Sequence, residues 1–62
     1  MKLGDTVIYN SNTGRQVAIV TQLNPDQTIN LAAWDGNAFN AKNDVPRNDD
    51  GLGHTYTPVG AQ

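Results

Sequence analysis

The sequence predicts an all-β domain, a small and partly open barrel of four to five antiparallel strands. Three observations carry that reading. Apolar and polar residues alternate with a period of two through several short runs, as half-buried strands require. The runs are separated by clusters of Asn, Asp, Gly and Pro, the residues that turns select. Strong helix formers are scarce: asparagine is the commonest residue with eight copies, and glutamate does not occur at all.

The first strand is expected over residues 5–10. Gly4-Asp5 is a turn that leads into Thr6-Val7-Ile8-Tyr9, with Val7 and Tyr9 on one face and Thr6 and Ile8 on the other. Residues 10–14 are five consecutive turn formers. The clearest strand follows at 15–23. Val17, Ile19, Thr21 and Leu23 alternate there with Gln16, Ala18, Val20 and Gln22, and the first set reads as the core face. Pro25 suits the second position of a type I turn. The next strand, 28–34, places Ile29, Leu31 and Ala33 on one face. Asp35-Gly36-Asn37 is a tight-turn signal before a shorter strand, 38–42, that carries Phe39. A two- or four-residue connection there sets Trp34 and Phe39 on one face, opposite Ile29 and Leu31; a three-residue loop or a bulge would exchange the set. The chain then either curls both faces inward, with Trp34 as core, or exposes an aromatic pair.

After Asn43 the pattern decays. Residues 43–53 form a turn-rich segment, 54–57 a last short strand before Pro58, and 59–62 a frayed tail. No internal repeat or domain boundary is visible, so residues 1–62 read as one domain. Sixty-two residues support only a small core, and such chains usually depend on disulfides, a metal or a partner. The absence of cysteine excludes disulfides and thiolate metal sites within this chain.

Charge narrows the function. Four Lys and Arg stand against six Asp, giving a net charge of −2 and a pI near 4.7. Nucleic-acid binders usually show a basic footprint, and Lys2, Arg15, Lys42 and Arg47 are scattered, so neither nucleic acid nor an anionic membrane surface is an expected partner. No run approaches the roughly 20 apolar residues of a membrane span, and the opening residues carry no apolar secretory segment. Synthesis in a reducing cytoplasm is the expectation.

Chemistry-bearing residues are few. Asp44, Asp49 and Asp50 lack the alternation of a calcium loop, and no Glu is present to complete one, so a solvated loop is expected. His54 has the titration range of a general base, but Ser11, the single serine, lies far off in sequence, and a nucleophile, base and orienting group do not assemble. No catalytic residue, metal site or cofactor is expected. The aromatic residues Tyr9, Trp34, Phe39 and Tyr56 serve either as core or as a protein-binding patch, since Trp and Tyr are enriched at interface hot spots. The candidate interface is Trp34 and Phe39 with Asp35 and Asn37 of the intervening turn.

The segment Gly4-Asp5-Thr6-Val7-Ile8-Tyr9 resembles the opening strand of SH3-like small barrels. With Val17-Ala18-Ile19-Val20-Thr21, Asn24-Pro25-Asp26, Ile29-Asn30-Leu31 and a closing Tyr56-Thr57-Pro58, the chain resembles small uncharacterised proteins encoded among structural genes of tailed bacteriophages and prophages. In those the closing segment carries tryptophans, and here it has none. The resemblance implies an SH3-like barrel and a non-enzymatic virion accessory protein (decoration, cement or connector) that binds a capsid, connector or tail component, or its own copies. The alternative is a small phage-encoded inhibitor or ligand sequesterer acting in the host cytoplasm.

Overall fold

A computed structural model describes residues 1–48 and 53–59. It contains five strands: β1 (Thr6–Ser11), β2 (Gly14–Leu23), β3 (Ile29–Trp34), β4 (Phe39–Val45) and β5 (Thr55–Pro58). They form one antiparallel sheet in the order β4-β3-β2-β1-β5, with no helix among the described residues. The all-β expectation is met strand for strand. The largest boundary change is at β4, which runs three residues beyond the expected Lys42 and ends in the fully buried Val45. Asp49 and Asp50 of the carboxylate cluster, residues 51 and 52 of the turn-rich segment and 60–62 of the expected tail lie outside the described residues.

The sheet curls because two of its ladders carry an extra residue. Between Val20↔Leu31 and Gln22↔Asn30, β2 gains Thr21. Between Ile29↔Val45 and Leu31↔Lys42, β4 sets Asn43 and Asp44 against the single Asn30. Such bulges bend a strand and increase its twist. Asp44 takes φ +54°, and the Asn30 side chain steadies it by accepting the Asp44 N–H at 3.0 Å. The curl brings the chain after β4 to the far side of β5. There Asn48 N donates to Tyr56 O, and Tyr56 N donates to Pro46 O, each at 3.0 Å. This contact, centred on Arg47 and Tyr56, is parallel. With five alternating strands the two outermost run the same way, so a seam between them has to be parallel.

The concave face holds one apolar cluster. Val7, Tyr9, Ala18, Val20, Ile29, Leu31, Ala33, Val45 and Tyr56 are each at most 5% exposed. The two smallest, Ala18 and Ala33, face each other across β2 and β3, and the two largest, Tyr9 and Tyr56, face each other across β1 and β5. Burying each large aliphatic member contributes about 1.5–3 kcal/mol.

The face expected for β2 is corrected. Ala18 and Val20 point into the core, whereas Val17 and Leu23 keep 51% and 45% of their surface exposed, Ile19 is half-buried and Thr21 is exposed at the bulge. Val17-Ala18-Ile19-Val20 is apolar on both faces, so alternation alone could not say which side turned inward. Pairing decides it: Ala18 lies opposite Val7 on one side and Ala33 on the other, and both belong to the core.

Candidate functional site

The β3–β4 hairpin positions the candidate residues. Trp34 pairs with Phe39, closing a four-residue connection, so both rings share the convex face, opposite Ile29, Leu31 and Ala33. Their centroids are 5.0 Å apart with planes inclined at 58°, within the range of favourable aromatic pairs. Trp34 is 40% exposed and Phe39 56%.

Asp35 builds the turn between them. Its Oδ1 accepts the N–H groups of Asn37 and Ala38, and its Oδ2 accepts Asn40 Nδ2, each at 2.8 Å. These bonds favour the ionised carboxylate. They hold the Asp35 pKa below the usual aspartate range, the Ala38 N–H contributing most, then the Asn40 amide and the Asn37 N–H. Gly36 supplies φ +96°, which a side chain would strain. Asn37 is exposed and contributes its backbone N–H to the turn. The four candidates therefore form one unit, a hydrogen-bonded polar turn carrying two rings.

The aromatic pair does not stand alone. Ile8 faces Val17, Ile19 faces Ala32, and Ala32 faces Ala41, all on the convex side. An apolar band thus crosses β1 to β4 and ends at Trp34 and Phe39. Sequence reasoning assigned Val17 and Ile19 of this band to the core; the signal it passed over was that β2 is apolar on both faces, so either could have turned inward. A groove of about 430 Å³ borders the band between the two hairpin tips, walled by Arg15, Val17 and Trp34 among others. At β5 the convex face turns polar. The buried Asn10 donates from Nδ2 to Thr55 Oγ1 and Thr57 Oγ1, both at 3.1 Å, while its Oδ1 has no partner.

The remaining chemistry-bearing side chains are tied into structure. His54 Nδ1 is 2.9 Å from Tyr9 Oη, with the rings edge to face, and Lys42 Nζ lies 5.8 Å from the Tyr9 ring centre. Burial raises the Tyr9 pKa. Ser11 Oγ donates to Gly14 O within its own turn at 2.6 Å. Asn24 Nδ2 faces Thr28 Oγ1, Asn30 Oδ1 and Asp44 Oδ1 at 3.0–3.3 Å, a network that ties the β2–β3 turn to the bulge of β4. Gly53 passes so close to the Asn12 side chain that a Cβ would collide with it. Among the described residues no three His, Cys, Asp or Glu are placed to hold a metal ion. No protein family, curated protein or solved structure matches the chain.

Proposed function

We propose that this chain is a non-enzymatic docking module, an accessory protein of a bacteriophage particle that attaches to a capsid, connector or tail component through its convex face. The observation that carries the reading is the exposed Trp34–Phe39 pair, held by the Asp35 turn and continuous with the apolar band. Contiguous exposed apolar surface of this kind marks interaction sites. A ring buried at the centre of an interface is typically worth about 2 kcal/mol or more. The turn is already braced, so little order has to be created on binding. The phage setting comes from the sequence resemblance and gives the partner its class. Nucleic acid, membrane and cofactor have no part in the reading.

The test uses washed particles and the Trp34→Ala variant. The parent chain should be found in particles at a fixed copy number. The variant should fold, judged by circular dichroism and melting, and be missing from them. A parent chain that stays in the host cytoplasm and never enters particles favours an inhibitor or ligand sequesterer. Unfolding of the variant alone would place Trp34 among the core residues.

A further inference from the structure

The two outer edges of the sheet are unlike. The outer side of β5 is occupied by residues 46–48 of the same chain. The outer side of β4 carries no pairing along residues 39–42 among the described residues. The turn bond from Asp35 N to Ala38 O fixes which groups are bare there. In an antiparallel ladder bonded and non-bonded pairs alternate. Asp35/Ala38 is bonded, so Trp34/Phe39 and Ala32/Ala41 are non-bonded pairs. The N–H and C=O of Phe39 and Ala41 therefore point away from β3, four main-chain groups aimed outward. Beyond Lys42 the Asn43–Asp44 bulge ends the regular edge.

We infer that this edge takes a second copy of the chain, β4 against β4 and antiparallel, about a two-fold axis through Asn40. Backbone parity selects the register. Outward-pointing groups have to meet, so Phe39 bonds to Ala41 of the second copy and Ala41 to its Phe39, giving four main-chain hydrogen bonds. The side chains fit the same register. The bulky Phe39 comes beside the small, exposed Ala41 on the convex face, and Asn40 lies opposite Asn40. Lys42, the single charge on this stretch, lies opposite Ala38, so no like charges are opposed. A shift of the axis to Ala41 would set Phe39 against the bulge. Because the chain itself occupies the other edge, addition stops at two copies and no filament grows. The pairing joins two convex faces, and with them two Trp34–Phe39 pairs, into one platform. It is separate from the choice of docking partner.

The protein itself is the probe. Sedimentation equilibrium at rising concentration should show the mass move from 6.7 kDa toward twice that value. Nitrogen-15 spectra over the same series should shift at the Phe39 and Ala41 amides, and their hydrogen exchange should slow. Ala41→Pro removes an outward N–H and no β3 bond, so it should leave the fold intact and the chain monomeric. Trp34→Ala should still dimerise while failing to dock, which separates this inference from the docking reading. A mass of 6.7 kDa at every concentration overturns the inference, as does dimerisation that survives Ala41→Pro or shifts confined to β5. Protection of the β4 edge only inside particles would assign that edge to a strand of another protein instead.

Discussion

The two faces of the sheet are both apolar, and they do different things. The concave face is closed: its nine cluster residues keep almost no exposed surface. The convex face offers Val17, Trp34 and Phe39 with 40–56% of their surface in solvent. Hydrophobicity alone does not tell the buried face from the exposed one. What separates them is the direction of curl, set by two bulges and a seam. In a barrel this small, whichever face the bulges turn inward becomes the core, and the other keeps its apolar side chains available.

Leu31→Ala is the largest test of that contrast. It empties a fully buried position and should cost about 3 kcal/mol, read from chemical denaturation. Val20→Ala should follow at about 2 kcal/mol, its lost methyls being wholly desolvated. Its neighbour Ile19→Ala, which removes a larger side chain from the convex face, should cost only about 1 kcal/mol because that side chain is half in water. If Ile19→Ala proves costlier than Val20→Ala, the two faces of β2 have been exchanged. Trp34→Ala removes one ring of an exposed pair, so its effect on melting should be about 1 kcal/mol or less, against complete loss of docking.

The smallest effect concerns the turn. Hydrogen bonds lower the Asp35 pKa in the folded chain. A depressed carboxylate pKa stabilises the fold above the pKa of the unfolded chain, and that contribution is lost as pH falls through the folded value. An NMR titration should place the Asp35 midpoint below that of an unstructured peptide, with the Asn37 and Ala38 amide signals moving together. A midpoint at the peptide value would mean that the turn is not braced by its carboxylate.

How much of this was legible depended on the residues concerned. In β3, Ile29 and Leu31 are separated by the polar Asn30, so one face could be read at once. Asp35-Gly36-Asn37 announced its turn, and parity then placed Trp34 with Phe39. Residues 17–20 offered no polar neighbour to break the tie between faces. Val45 was missed because the bulge that turns it inward depends on Asn30 side-chain bonding, which pattern does not encode. The bond from Tyr9 to His54 joins residues 45 apart in sequence, and the seam at residues 46–48 rests on one parallel contact. Neither leaves a local periodicity. The bare edge of β4 could be seen only once the strand order was known.

The place of β5 in the sheet sets an expected order of folding. β5 is the last of the five strands in the chain, yet it lies between β1, the first, and residues 46–48. The meander from β1 to β4 can form from neighbouring hairpins, whereas β5 has to return across almost the whole chain to reach β1. Contacts of such long sequence separation form late, because loop-closure entropy opposes them until much of the rest is in place. Until β5 docks, the outer sides of both β1 and β4 would lack strand partners. Docking of β5 covers the β1 side, so the part of the chain that comes last in sequence protects the strand that comes first.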